Sequence, residues 1–448
     1  MSRETNMTVG RPTKLILGLA VPLILTNVGQ QLYTVADASI VGRGVGVEAL
    51  AALGATDWLY WLVLWTVQAM TQGFSVLVSQ TFGSNDKKGL RKAITMSVLL
   101  CAAVGILLTV VFVSSAGRLL HLLDTPENIY DGAHIYLTMM YAGTLITMAY
   151  NMAAAILRAL GDGKSPLIAM FTAGCLNIVL DLLFIRTFGM GVRGAAIATV
   201  IAQGISVVLC LIYIVTKAKI LLPEKRHFAL DRGLYADLLA QGFSMGFMSS
   251  IIYVGSIVLQ PGINSLGYET IAGHTAARKL FSFSMMPLSS MAQAVNTYVA
   301  QNRGADNWER VRKGIRYAYI FCFSVTACLI VIVTPLAPTM VHLISGSSDP
   351  TVLGNGARYL RVAIPFFFAL GLVNCSRLAL QALGEKILPL LSSFIELFGK
   401  IIFAMVFIPR YHYSAVIWCE PIIWCFMAAE LVISLYRNPY MRKGKTGN

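Results

Sequence analysis

Apolar runs of about 20 residues or more recur from one end of this 448-residue chain to the other. Each run is long enough to cross ~30 Å of hydrocarbon as a helix. Hydrophobic residues make up 56% of the chain and charged residues only 12%, which is far more apolar than a soluble protein. No polar segment between these runs is long enough to form a separate soluble domain. The sequence therefore predicts an all-α integral membrane protein.

Basic loops, Gly and Pro breaks and the lengths of the apolar runs divide the chain into twelve predicted spans. The first run is too long for the apolar region of a signal peptide and lacks a small-x-small cleavage site, so we interpret it as a retained helix. The predicted spans cover residues 14–42, 50–80, 90–118, 129–160, 165–187, 192–217, 234–262, 270–300, 311–345, 352–383, 388–409 and 414–437.

The net charge of +14 is concentrated in every second connection between spans. Because basic loops stay in the cytoplasm, this alternation predicts a multi-pass protein of the inner (plasma) membrane with both termini cytoplasmic. The charge thus reports topology and not a nucleic-acid partner. The basic clusters are Lys87, Lys88, Arg91 and Lys92; Arg158 and Lys164; Lys217, Lys219, Lys225, Arg226 and Arg232; Arg303, Arg310, Arg312, Lys313 and Arg316; Arg377 and Lys386; and Arg437, Arg442, Lys443 and Lys445.

Motifs for enzyme chemistry are absent from the sequence. The eight cysteines lie inside apolar runs without a C-x-x-C pair, and the six histidines have no metal-ligand spacing. No H-E-x-x-H or G-x-S-x-G motif occurs. We therefore expect neither an enzyme nor a cofactor.

Two local matches indicate an internal repeat. The segment SVLVSQTFGSNDKKGLRKAI, at 75–94, recurs 221 positions later as NTYVAQNRGADNWERVRKGI, and ALGDGKSP, at 159–166, recurs 223 positions later as ALGEKILP. A charged connection from Thr216 to Asp237 lies between the two copies. These features predict two six-helix bundles, at 1–220 and 221–448, which are parallel repeats related by a pseudo-two-fold axis along the membrane normal.

Asp37 is the most unusual residue of the first predicted helix. A carboxylate at the centre of a spanning helix costs roughly 2.5–3.5 kcal/mol on insertion scales, so it normally faces a bundle interior or a wet cavity. The alternative is that Asp37 lies near the helix end, within reach of water, because Arg43 is only six residues away.

The fifth predicted helix carries a second acid. Asn177 and Asp181 are four residues apart and share one helical face, and the sixth helix adds Thr199. If the first, fifth and sixth helices converge, Asp37, Asn177, Asp181 and Thr199 form an oxygen-rich cluster that could hold a proton or Na⁺. Burial would disfavour the ionised carboxylates, so such a site could load and release a proton as its hydration changes.

Two other interpretations of these residues stay open. Asp181 could pair with Arg186 or Arg193 near the outer surface, and Asn177 could simply bridge two helices. The repeat shows that the acids belong to the first half alone, because Asp37 corresponds to Val258 and Asp181 to Ala404.

Several other charged residues also fall within predicted spans. Glu396 and Lys400 are four residues apart, which predicts an ion pair. Asp57 and Glu420 are expected near helix ends. Arg278 and Lys279, on the eighth predicted helix, face partners that the sequence does not identify.

Taken together, these motifs resemble the multidrug and toxic compound extrusion (MATE) family of secondary transporters. The resemblance covers essentially the whole chain. It is carried by P-x-x-x-T-N from Pro22 to Asn27 leading to Asp37, by the loops with Gln80 and Gly83 and with Gln301 and Gly304, by LRALGDGKSP, and by GVRGAAIATVIAQ.

The resemblance implies an antiporter that exports drugs or other amphipathic organic cations in exchange for H⁺ or Na⁺ by alternating access. In the DinF-like branch, the residues matching Asp37, Asn177, Asp181 and Thr199 form the cation site. The NorM-like branch carries an acid in the seventh helix, whereas this chain has none between Asp237 and Glu269, which favours the DinF-like arrangement.

Further expectations concern substrate and partners. We expect small amphipathic, cationic substrates, contact with membrane lipids, no nucleic acid and a monomeric protein. The candidate substrate-cavity residues are Gln30, Tyr33, Asn151, Tyr253, Gln260 and Met286. An alternative function is a flippase for a lipid-linked precursor, whose cationic cavity would be lined by Arg278, Lys279, Arg358, Arg361 and Lys400.

Overall fold

A computed structural model describes residues 5–123, 125–228 and 231–442. Two of the predicted basic residues near the end of the chain, Lys443 and Lys445, lie outside the described residues, as do the side chains of Lys225 and Arg226.

The described chain is built from α-helices. In order they are α1 (Pro12–Gly44), α2 (Val47–Gly83), α3 (Lys87–Leu122), α4 (Glu127–Ala142), α5 (Thr144–Ala159), α6 (Lys164–Asp181), α7 (Gly191–Lys217), α8 (Arg232–Asn264), α9 (Tyr268–Gly304), α10 (Trp308–Ser345), α11 (Pro350–Ala363), α12 (Phe367–Ala382), α13 (Leu388–Ile402), α14 (Ile408–Tyr411), α15 (Tyr413–Arg437) and α16 (Pro439–Arg442). Single π-helical turns, Leu182–Thr187 and Phe403–Phe407, follow α6 and α13.

These helices match the twelve predicted spans. Within the described ranges, nine helices are long and apolar enough to cross a membrane, and the bent pairs α4–α5 and α11–α12 pass the same test together. The remaining long helix, α9, has 37 residues but is more polar. The all-α membrane architecture predicted from the sequence is therefore confirmed.

The prediction that 129–160 and 352–383 are continuous helices is wrong. The chain bends by 44° between α4 and α5 and by 54° between α11 and α12. The second bend contains Pro365, which has no backbone N–H to continue a helix. At the first bend, a Cβ on Gly143 would lie 2.7 Å from a methyl group of Val200, so α7 can pack here only because the residue is glycine.

The repeated loops have the same backbone structure in both halves. Asn85 and Asp306, 221 positions apart, both adopt positive φ, at 58° and 53°. The next residue caps the following helix in each case, since Asp86 accepts from the backbone of Lys88 and Gly89, and Asn307 accepts from that of Arg310. The repeat therefore preserves a left-handed residue followed by an N-cap, which is the local chemistry needed to end one helix and begin the next.

Contacts group the chain into two units. Unit 1 contains Val21–Gly246 together with the chain start up to Asn6, and unit 2 contains Met7–Ala20 and the chain from Phe247 onward. The unit boundaries thus fall inside α1 and α8. The division into bundles at 1–220 and 221–448 stays a prediction.

The connection between α7 and α8 packs against the start of α3, within unit 1. Glu224 pairs with Arg91 of α3, and the carboxylate of Asp231 accepts a hydrogen bond from Nζ of Lys92 at 2.7 Å. This bond holds the pKa of Asp231 below its usual value. The charged connection is therefore held against the start of α3 by two ion pairs.

Candidate functional site

Asp37 lies in the last third of α1, seven residues before the helix ends at Gly44. Only 8% of its surface is exposed, although several of its neighbours on α1 are half-buried or exposed. The structure therefore places this carboxyl group inside unit 1 and not at a solvated helix end.

Asn177 and Asp181 lie at the end of α6, where the helix changes to a π-helical turn at Leu182. Their exposed fractions are 1% and 0%. No described arginine contacts Asp181, so the expected alternative of a pair with Arg186 or Arg193 is not present in the structure. π-helical turns are frequent at functional sites because they re-aim the side chains around them.

The carboxyl groups of Asp37 and Asp181 lie within hydrogen-bonding range of each other. A hydrogen bond between two carboxyl groups requires a proton on one of them. Oδ1 of Asp37 and both carboxyl oxygens of Asp181 are buried and accept no hydrogen bond from a donor among the described residues. The pair thus lacks the neutralising donors that buried carboxylates normally have.

The amide of Asn177 connects this pair to α7. Its Nδ2 donates to Oγ1 of Thr199 at 3.4 Å, while its Oδ1 is buried without a partner in the described chain. The close approach of α7 depends on its small residues, because a Cβ on Gly194 would lie 3.0 Å from Cβ of Phe184. The four residues predicted from sequence, on three helices, are therefore brought together.

A cavity of about 70 Å³ adjoins the cluster in unit 1. This volume is enough for a few water molecules or a small cation. Its lining is mainly polar and aromatic: Gln30, Tyr33, Tyr60, Gln68, Thr147, Tyr150, Asn151, Asn177, Thr199, Gln203 and Ser206, with apolar contributions from Leu64, Met170, Ala173, Gly174 and Ala202. Polar atoms of this lining bond one another, since Thr147 donates to Gln203 and Nδ2 of Asn151 donates to the carbonyl of Thr147 at 2.9 Å.

Asp57 is a third acid near the pair, and sequence analysis misplaced it. It lies ten residues inside α2 and is exposed, not at a helix end, and its charge is close enough to interact with Asp37. Tyr33, Tyr60 and Tyr136 also lie close to Asp37. An acid flanked by aromatic residues inside an apolar run, as in TDWLYW, was the signal that could have identified Asp57.

Six residues were proposed to line a substrate cavity, and they fall in both units. Gln30, Tyr33 and Asn151 line the cavity beside the acidic pair. Tyr253, Gln260 and Met286 belong to unit 2, where Nε2 of Gln260 donates to Oδ1 of Asn264 at 2.8 Å and Met286 is buried.

Unit 2 contains a chain of ion pairs that is half-buried at one end and buried at the other. Glu420 accepts from Arg278 at 2.7 Å and lies 3.8 Å from Nζ of Lys400. Lys400 in turn donates to Glu396 at 2.9 Å, which confirms the predicted i,i+4 pair. Arg377 lies 4.0 Å from the other oxygen of Glu396. Glu420 lies seven residues after the start of α15, where its half-buried side chain joins two cations.

These pairs do not favour the flippase alternative. Arg278 and Lys400, two of the cations expected to line a positive cavity, are neutralised by Glu420 and Glu396. Arg358 donates to Ser414, and Arg361 donates to the carbonyl of Thr334. Of the five cations expected to line that cavity, Lys279 alone lacks a partner among the described residues.

Comparison with known proteins identifies the family. The model of the MatE family matches residues 22–183 and 245–406, two segments that begin 223 residues apart and reproduce the repeat found in the sequence. The chain belongs to the MatE family. Members of this family are membrane transporters and not enzymes. The match covers both halves and includes Asp37, Asn177 and Asp181 in its first segment.

Individual relatives agree with this assignment. The chain is 29% identical to the probable multidrug resistance protein YpnP of Bacillus subtilis, over 81% of this chain and 80% of the relative. It is 24% identical to a protein named FAD transporter of Shewanella oneidensis, over 82% of each chain. The solved structure of a multidrug resistance MATE family transporter in an outward-facing conformation has a TM-score of 0.89 and 23% identity over 97% of both chains, which shows that the fold is shared.

The donor set of the site suits a proton or a monovalent cation. Among the described residues, no group of three or more His, Cys, Asp or Glu side chains is arranged to hold a metal ion. Two carboxyl groups, one amide oxygen and one hydroxyl oxygen are hard donors, which do not select transition metals.

Proposed function

We propose that this MatE-family transporter is an antiporter that exports small amphipathic organic cations in exchange for H⁺. The proton binds between Asp37 and Asp181. The observation that supports this proposal most directly is the buried contact between the two carboxyl groups, without a described arginine or lysine to neutralise them.

Electrostatics favours a single shared proton at this pair. Two ionised carboxylates in contact and away from water repel each other strongly, so the pair needs a positive charge between them. A proton meets this need with the geometry present, since one protonated carboxyl donates to the other. Na⁺ is the alternative coupling ion, and it would also draw on Oδ1 of Asn177 and Oγ1 of Thr199.

Proton binding would be linked to transport through hydration of the site. The neutral pair tolerates a dry, closed site, whereas the ionised pair requires water from the adjoining cavity. Each conformation is therefore favoured by one protonation state, which is the differential binding that alternating access requires. One proton moved across 100 mV supplies about 2.3 kcal/mol, and each pH unit adds about 1.4 kcal/mol.

The chemistry of unit 1 supports organic cations as substrates. Tyr33, Tyr60 and Tyr150 present aromatic faces beside buried acids, and such faces attract organic cations. The names of the relatives, multidrug resistance proteins and one FAD transporter, support small organic molecules as the substrate class.

The orientation follows from the basic loops. Lysine and arginine clusters in alternate connections support cytoplasmic termini in the inner (plasma) membrane. In this orientation protons enter the site from outside and leave to the cytoplasm, while the substrate moves outward. We propose that one chain suffices as the transporting unit, because the acidic pair and its cavity lie within one unit of the fold.

Transport assays in proteoliposomes test this proposal. The purified protein is reconstituted, and uphill movement of a fluorescent organic cation is measured with a pH gradient and a Na⁺ gradient imposed separately. We expect the pH gradient alone to drive transport in the wild type, and Asp37→Asn and Asp181→Asn each to abolish uphill transport.

Asp131→Asn is the matched control, because Asp131 is an exposed acid of α4 in the same unit. It should transport at the wild-type rate. Undiminished uphill transport by either site variant would reject proton binding at the pair. Transport driven by Na⁺ and not by pH would replace H⁺ with Na⁺ as the coupling ion.

A further inference from the structure

Lys279 is an unpaired cation within a helix that spans the membrane. It lies eleven residues, or about 17 Å, from the Tyr268 end of α9. Its side chain is exposed, and it makes no hydrogen bond or ion pair with any described residue. A lysine facing hydrocarbon is costly, so a lysine within a span normally faces protein or a water-filled cavity.

The exposed face of α9 carries polar side chains on both sides of Lys279, together with the exposed ring of Phe283. Thr275 lies one turn before it and Ser282 about one turn after it, and both are exposed. The next helix, α10, exposes Val331 and Leu343, at 73% and 81%, as expected for contact with lipid. α9 is also the long helix that fails the apolarity test for a span. Because a lysine is costly in hydrocarbon, we expect this face of α9 to meet water or a polar ligand and not lipid.

Neighbouring acids are not available to neutralise Lys279. Arg278, the adjacent residue, bonds Glu420 and Tyr359 and lies 4.8 Å over the ring of Phe281. Glu420 and the next acid along the chain of ion pairs, Glu396, are already shared among Arg278, Lys400 and Arg377. The positive charge of Lys279 is thus exposed and is not neutralised by a described acid.

We propose that Lys279 binds an oxyanion, such as a carboxylate, carried by the transported molecule. This inference rests on the proposed function and narrows its substrate class to amphipathic zwitterions, which combine an organic cation with an anionic group. The ammonium group of a lysine acts as a point charge, so it can bind a single oxyanion without requiring a fixed geometry.

Binding of two closely matched dyes tests this proposal without an ion gradient. Tetramethylrhodamine carries a free carboxylate beside its cationic ring system, and its methyl ester lacks that negative charge. Fluorescence anisotropy gives the Kd of each dye for the protein in nanodiscs of phosphatidylcholine. We expect Lys279→Gln to weaken binding of the free acid by about tenfold and to leave binding of the ester unchanged.

Two further variants control for folding and for charge. Lys279→Arg keeps the cation and should retain binding of the free acid within about threefold, because a point charge is sufficient. Lys217→Gln removes an exposed lysine at the end of α7 and should change neither Kd. Equal weakening of both dyes by Lys279→Gln, or no binding of the free acid by the wild type, would overturn the proposal.

A lipid headgroup offers the same oxyanion chemistry, so the lipid is varied as well. If phosphatidylglycerol in the nanodisc displaces the free acid from the wild type, Lys279 holds a headgroup and the proposal for the transported molecule is wrong. Because no gradient is used, a failure of proton coupling in proteoliposomes leaves this measurement unaffected, and the two proposals are rejected by different results.

Discussion

Asp57 shows how one residue can tune the site without belonging to it. It is exposed on α2, whereas Asp37 and Asp181 are buried, and its negative charge interacts with Asp37. A nearby negative charge favours the protonated form of a carboxyl group. If the pair binds a proton as proposed, the negative charge of Asp57 is expected to favour the bound proton.

Removal of the negative charge of Asp57 should change the pH dependence of transport. In Asp57→Asn the pair holds its proton less tightly, so the pH of half-maximal uphill transport should fall by about half a unit to one unit. Rates in proteoliposomes across a series of external pH values measure this shift. Asp131→Asn should show none, and a shift toward higher pH in Asp57→Asn would contradict the placement of Asp57.

The acids themselves were predictable at the residue scale, whereas their contact was not. Asp37 and Asp181 stand out because a carboxylate inside an apolar run has a large insertion cost. Their mutual distance depends on how α1 packs against α6, and no periodicity in the sequence reports this packing. Asn177 shares a helical face with Asp181 and was placed correctly beside it for that local reason.

At the scale of helices, the chain of ion pairs in unit 2 connects α9, α12, α13 and α15. Glu420 is its central acid, because it faces both Arg278 and Lys400. Loss of one partner from a buried ion pair is strongly destabilising, typically by about 3–5 kcal/mol, since the remaining charge is left without compensation. We therefore interpret this chain of pairs as a constraint on the packing of these helices.

Glu420→Gln tests this interpretation. We expect the melting temperature of the detergent-solubilised protein to fall by several degrees, because the buried Lys400 and the half-buried Arg278 lose their common partner. Glu309→Gln removes the exposed pair between Glu309 and Lys313 on α10 and should leave the melting temperature unchanged. Equal melting temperatures for both variants would show that the chain of pairs does not stabilise unit 2.

Sequence separation explains which of these pairs could be predicted. Glu396 and Lys400 are four residues apart on one helix, so their pair follows from helical geometry. Arg278 and Glu420 are 142 residues apart, and only the fold brings them together. The twelve spans were predictable from apolar length, whereas the bend at Gly143 depends on the packing of Val200 against it.

At the scale of the whole molecule, the features that repeat are structural. The buried acids, which are costly to place in a membrane, do not repeat. The π-helical turns at Leu182–Thr187 and Phe403–Phe407 occur in both halves, as do the left-handed glycines Gly161 and Gly384. The acid before the first turn has no counterpart in the second half. The repeat therefore preserves the scaffold and not the acids, and for this reason the proposed ion coupling is assigned to unit 1 alone.

Release of a proton on substrate binding tests the central claim most directly. The protein is equilibrated in weakly buffered solution, tetramethylrhodamine methyl ester is added, and the change in pH is followed with an indicator dye. If substrate and proton exclude each other, the wild type should release up to about one proton for each dye bound, because the pair shares a single proton. Asp37→Asn and Asp181→Asn should bind the dye without releasing protons. Undiminished proton release by either variant would contradict proton binding at this pair.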